Sequence, residues 1–191
     1  MKHFMVDLET LDTGSDALVL SVGIVAFDPN TGETGAEFYI ELNSENCMGE
    51  QEFCDRTIST ATKKWWSEQS PEARMLFHEG FGNRVNYLHD GLRDISNFVW
   101  GVSGKDTDNV KMWGNGAAFD NVILRNLYAA ADMNPPWKFY NDRCFRTLKN
   151  LPGAKDLAPN FKGTPHYALD DAMQQTLHLL EIYKRCLAPS Q

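Results

Sequence analysis

Three things are scarce in this sequence, and each absence narrows what the chain can be. Its four cysteines, Cys47, Cys54, Cys144 and Cys186, form no C-x2-C pair and no other metal-ligand spacing. Thiols placed this way read as reduced core fillers of a cytoplasmic protein, not as a disulfide or zinc framework. No apolar run approaches the roughly 20 residues needed to span a bilayer, and two acids break the N-terminal apolar stretch at once, unlike a signal peptide. The expectation is a cytoplasmic chain with no membrane partner. Positive charge is also short: 18 Lys and Arg against 26 Asp and Glu give a formal net charge of −8. That argues against a broad basic surface neutralising many phosphates of a duplex. A nucleic-acid enzyme stays open, because carboxylates that recruit divalent cations can meet phosphates through those cations.

What is present suits one domain over residues 1–191, with 42% apolar and 12% aromatic residues. The run from His3 to Thr10 reads as a strand. Ala17 to Phe27, nearly all apolar and β-branched, reads as a strand covered on both faces, and Thr34 to Leu42 as a third. Short turns join the three into an antiparallel meander. Residues 43–56 read as a loop. Ser59 to Glu68 has helical character, Ser70-Pro71-Glu72 is a helix-start signal, and Asn83 to Trp100 repeats Val85, Leu88, Leu92, Ile95 and Val99 on one helical face. Val110 to Trp113 is a short strand, Ala117 to Met133 a helix, Trp137 to Asn141 a fifth strand, Cys144 to Leu151 a short helix, and Tyr167 to Cys186 the closing helix. The fold class expected is α/β, a five-stranded mixed sheet with its first three strands antiparallel, flanked by helices.

Acids stand at the ends of several of these elements. Asp7 and Glu9 lie two apart on a strand, so they project from one face. Asp120 follows the turn Gly114-Asn115-Gly116, and Asp171 lies in the last helix, five residues after His166. Four carboxylates brought together repel one another unless a cation neutralises them. An all-oxygen set without cysteine or paired histidines favours magnesium or manganese over zinc.

Asp7-Leu8-Glu9-Thr10, Asn115-Gly116-Ala117-Ala118-Phe119-Asp120 and His166-Tyr167-Ala168-Leu169-Asp170-Asp171 together resemble the three motifs of the DnaQ-like, or DEDDh, 3′→5′ exonucleases. The order and spacing hold across nearly the whole chain, and the likeness is nearer to the phage-type, exonuclease VIII-like branch. This resemblance implies a ribonuclease H-like fold and a phosphodiester hydrolase that shortens single-stranded DNA or RNA from the 3′ end, DNA before RNA, to nucleoside 5′-monophosphates. It implies two Mg2+ or Mn2+ ions on Asp7, Glu9, Asp120 and Asp171, with His166 as general base and Glu9 orienting the attacking water. It also implies a possible homodimer, by analogy alone. Two departures stand out. Leu11-Asp12 intervene before Thr13-Gly14, where the family commonly places Thr-Gly directly. Tyr167 lies four residues before Asp171, the offset used by the sister class with tyrosine as its motif residue.

Beside the motifs, Thr10, Leu11 and Phe119 are candidates for contact with the terminal nucleotide, and Phe119 also fits a helix core position. Trp65 and Trp66 suggest a stacking platform, but adjacent helical residues do not share a face, so core or interface roles compete for them. Two other readings use the same sequence. One is a non-catalytic nucleic-acid-binding protein of this fold, and the other is a ribonuclease H-like endonuclease with no need of the His166 and Asp171 pairing.

Overall fold

A computed structural model of the protein describes residues 1–78 and 83–187. Its centre is a five-stranded sheet in the order β3-β2-β1-β4-β5, built from β1 (His3–Thr10), β2 (Val19–Asp28), β3 (Glu33–Glu41), β4 (Lys111–Gly114) and β5 (Asp142–Cys144). The first three strands are antiparallel, and β4 and β5 run parallel to β1. The mixed sheet and its meander are those expected. β2 is buried along almost its whole length, as its unbroken apolar run requires of a strand covered on both faces.

Alternation along β1 divides the interior. Phe4, Val6 and Leu8 face one side, where they pack with Leu92, Ile95 and Val99 of α3 (Leu88–Ser103) and Ile123 and Leu127 of α4 (Asp120–Ala130). Met5 faces the other side with Val25 and Trp113, under Phe145 of α5 (Phe145–Lys149) and Ala172 and Leu179 of α6 (Ala168–Ile182). Asp7 and Glu9 continue that second face toward the end of β1. The polar pair is thereby brought beneath the start of α6.

Several boundaries move. Residues 43–56 carry α1 (Glu45–Phe53) in place of the expected loop. The helix has no apolar stripe to announce it, because its buried residues are Cys47 and Gln51. Ser44 caps it, accepting from the Cys47 amide, and the Gln51 amide group bonds both the N–H and the carbonyl of Val19 at 2.9 Å. The fifth strand is Asp142–Cys144, not Trp137 to Asn141. Trp137 instead fills the core beside Tyr128 and donates its indole N–H to Asp142 Oδ1. α3 begins at Leu88, because Val85 keeps the helical period but precedes the helix, and α4 begins at Asp120 instead of Ala117. α2 (Thr60–Ser67) is capped by Ser59, and Ser70 caps only a short 3-10 turn, Ala73–Phe77. Cys47, Cys54 and Cys144 are free thiols, and the Cys186 side chain lies outside the described residues. Among the described residues no helix is long and apolar enough to cross a membrane.

Candidate active site

One glycine sets how closely α6 meets the sheet. Gly23 lies opposite Asp7 in the antiparallel register, and a Cβ there would collide with the Ala168 carbonyl and the Leu169 nitrogen. The first turn of α6 therefore rests directly on backbone, with Asp171 over the end of β1. Ahead of the helix His166 adopts φ +64°, a left-handed conformation rarely taken by residues with a side chain. Its backbone N–H donates to Asp171 Oδ2 at 2.8 Å. The chain reversal before α6 and the aspartate within it thus hold each other.

Gly114 does for Asp120 what Gly23 does for α6. A Cβ at Gly114 would lie 2.9 Å from Asp120 Oδ2, so only glycine admits that carboxylate against the end of β4. Asp120 is 2% exposed, and its Oδ2 has no hydrogen-bond partner among the described residues.

The result is a cleft of about 640 Å³ lined by Asp7, Glu9, Thr10, Asn115, His166 and Asp171, among others. Ligand atoms of Glu9, His166 and Asp171 lie within 4.8 Å of one another. Burial and the surrounding acids push the carboxyls up. Asp7 lies well above the ordinary range through desolvation and then the charges of Asp120, Glu9 and Asp171, against the opposing hydrogen bond from Gln175. Glu9 is raised in the same way by burial, Asp171 and Asp120. Asp120 is raised to about 7 by burial, held back by the amides of Asp120, Leu8 and Asn115 and by the Arg146 charge. Burial lifts Asp171 as well, while the His166 amide and charge pull it down.

These features fit divalent metal. The buried Asp120 Oδ2 has lone pairs with nothing to bond, and four carboxylates share a small volume that their own charges disfavour. The donors are hard oxygens, as magnesium and manganese prefer.

The other expected contacts distribute unevenly. Thr10 lines the cleft, although its hydroxyl donates to the Asp12 carbonyl at 2.6 Å and closes the turn that follows. Phe119 lines the cleft and also packs against the core. Leu11 does not reach the cleft. It is 4% exposed, in a cluster with Leu18, Leu20 and Trp66, and its backbone bonds Leu18 and Ser59. Asp12 and Thr13 take its place at the cleft wall. The inserted Leu11-Asp12 pair is thus half anchor and half rim. Tyr167 turns away from the acids onto Tyr39, with ring centroids 4.4 Å apart, and does not line the cleft.

Two participants, Gln175 and Arg146, escaped the sequence reading. Gln175 donates from Nε2 to Asp7 Oδ1 at 2.6 Å, and its place one helical turn beyond Asp171 was a usable signal. Trp65 and Trp66 divide the two roles that competed for them. Trp66 is buried and donates its indole N–H to the Thr10 carbonyl at 2.9 Å, whereas Trp65 is 41% exposed and meets the His166 ring edge-on at 4.8 Å. Arg146 lies against Gly116, where a Cβ would come within 3.3 Å of the guanidinium carbon and where φ is +134°. No spacing linked it to Asp120.

The chain is similar to known proteins in sequence and in fold. A family model described as the 3′-5′ exoribonuclease Rv2179c-like domain matches residues 2–183. The exodeoxyribonuclease of Enterobacteria phage T4 is 29% identical over an alignment of 167 residues, with 77% of this chain and 70% of that protein covered. The nuclease domain of 3′hExo, a DEDDh family member bound to rAMP, shares the fold at TM-score 0.61 and 13% identity, over 95% of this chain and 91% of that one. The zinc-bound E. coli ExoI–ssDNA complex does so at TM-score 0.57 and 14% identity, over 97% of this chain and 41% of that one. The fold is thus the ribonuclease H-like one of the DEDDh nucleases, a family that implies dependence on divalent metal. With its match running from residue 2 to residue 183, the chain belongs to the 3′-5′ exoribonuclease Rv2179c-like domain family, within the DnaQ-like 3′-5′ exonucleases.

Proposed function

We propose that this exonuclease removes nucleotides one at a time from the 3′ end of single-stranded nucleic acid, DNA in preference to RNA, with His166 as general base. The observation that carries the reading is the approach of Glu9, His166 and Asp171 donor atoms to within 4.8 Å of one another in an open cleft. A base must lie within reach of the water whose proton it takes, and this grouping supplies such a place.

Asp7, Glu9, Asp120 and Asp171 would hold two magnesium or manganese ions, which supply Lewis-acid polarisation of the phosphate and neutralise charge on the departing oxygen. His166 accepts the proton of the attacking water. The water oxygen bonds to phosphorus, the bond from phosphorus to the 3′ oxygen breaks, and that oxygen takes a proton from solvent. The product is a nucleoside 5′-monophosphate. Glu9 orients the water, and Gln175 keeps Asp7 turned inward. Exposed Trp65 and half-buried Phe119 at the cleft offer flat surfaces to unpaired bases, which supports a single strand over a duplex. The preference for DNA is supported by the phage relative's deoxyribonuclease activity, while the family's description as an exoribonuclease makes RNA the competing substrate.

Matched 5′-labelled DNA and RNA strands, single and double, test the reading with Mg2+ or Mn2+. Stepwise shortening of linear single strands, with circles left intact and DNA consumed faster, is the expected result. Asp7→Ala abolishes it, and His166→Ala lowers turnover far more than Tyr167→Phe. Full activity in Asp7→Ala or in chelator overturns the assignment, and faster loss of RNA reverses the substrate preference.

A further inference from the structure

Beyond the catalytic cleft, on the far side of Trp66, lies a second cavity of about 780 Å³, a size typical of ligand-binding pockets. The buried Trp66 lines both. Leu11 and Met48 contribute on the side nearer the core, while Met75 and Phe77 form an apolar wall at 36% and 46% exposure. Phe77 meets Trp66 edge-on with ring centroids 5.3 Å apart.

The charge of this cavity is opposite to that of the cleft. Four acids line the cleft, Asp7, Glu9, Asp12 and Asp171. The described residues around the second cavity include Lys63, Arg74 and His78 and no carboxylate. Among the described residues neither Lys63 nor Arg74 forms an ion pair. In a chain of net charge −8, exposed cations around an aromatic and methionine surface are a local exception.

We propose that this cavity binds a nucleotide on the 5′ side of the scissile bond, its base against Phe77 and Met75 and its phosphate near Lys63 and Arg74. The inference rests on the exonuclease reading above and adds a place that selects for strand length. Continuity through Trp66 points to a strand already engaged in the cleft, and the sign of the rim selects a polyanion over an apolar or acidic peptide. Base stacking on aromatic side chains tolerates any sequence, so the cavity favours longer strands without reading their bases.

Two measurements test it. The first is the ratio of kcat/KM for a strand of about ten nucleotides to that for a dinucleotide, which Phe77→Ala and Arg74→Gln each lower by about tenfold, as expected when a stacked base or a phosphate contact is lost. The second is fluorescence anisotropy of the labelled strand on the full chain carrying Asp7→Ala with Mg2+ present, where adding either substitution weakens binding by a similar factor. Arg74 is exposed, so its variant guards against a folding defect in Phe77→Ala. Ratios and affinities within twofold of the parent overturn the proposal. If Phe77→Ala changes the sedimenting mass and leaves strand binding intact, the cavity is an interface between copies and the proposal falls. If the wild-type chain cleaves nothing, the exonuclease reading fails separately, and anisotropy still decides the cavity.

Discussion

Gln175 Nε2 reaches across from α6 to donate to Asp7 Oδ1 at 2.6 Å, and so the closing helix holds an acid of the first strand. The two residues are 168 positions apart. The bond favours ionised Asp7 in a setting where burial and three neighbouring acids favour the neutral form. Gln175→Leu removes it. A hydrogen bond to a charged group is worth about 1.5–3 kcal/mol, so metal affinity by calorimetric titration is expected to fall by about tenfold or more. Unchanged affinity would show that Asp7 needs no such support.

Acidity at Asp120 couples pH to folding. Its carboxyl is raised to about 7 in the folded chain, against roughly 3.9 in an unfolded one. The fold therefore favours the protonated acid, a contribution present at low pH and lost as pH rises from about 4 through about 7. In chelator, Asp120→Asn is expected to melt higher than wild type above pH 7, with the difference vanishing toward pH 4. Adding Mg2+ or Mn2+ above pH 7 raises the wild-type Tm more than that of the variant. A wild-type advantage in chelator at high pH would contradict the electrostatics described.

Trp65 restrains His166. The histidine ring belongs to a residue in the left-handed region and packs perpendicular to the indole with ring centroids 4.8 Å apart. Trp65→Ala is expected to lower kcat by about tenfold, the scale of a loosened catalytic group, and to change KM less. Trp65→Phe restores most of the loss, since a smaller ring still offers a face. A change confined to KM would assign Trp65 to substrate contact alone.

Backbone contact at Gly23 is the least forgiving feature. A methyl group there meets the Ala168 carbonyl, which has nowhere to move without lifting α6. Gly23→Ala is expected to destabilise by about 1–3 kcal/mol or more, the usual range for overpacking, and to cost activity beyond the stability loss because Asp171 rides on the displaced turn. Denaturant melts and steady-state rates on the same preparations check both parts.

The sheet and the acids were legible for different reasons. β1, β2 and β3 show apolar alternation or unbroken apolar runs, which local physics turns into strands whatever lies around them. The acids at 7, 9, 120 and 171, with His166, stood out because charge at element ends asks for a partner. α1 was hidden, since it docks through the amide of Gln51 and not an apolar stripe. β5 was displaced because an aromatic segment with strand composition spends Trp137 on the core and leaves Phe139 and Tyr140 exposed. Leu11 was assigned to substrate by its place next to the motif, but the turn closed by Thr10 sends it inward. Trp65 could be separated from Trp66 only once α2 had a direction.

Trp66 carries a consequence for how such an enzyme can diversify. Its ring divides the two cavities, yet its N–H also braces the strand end that bears Glu9. Change at that position alters chemistry and strand contact together, so it offers no independent route to a new substrate range. Phe77, Met75 and Arg74 stand outside that brace. Innovation is free to accumulate on the outer rim while the inner wall stays fixed, a modular division set by a single indole.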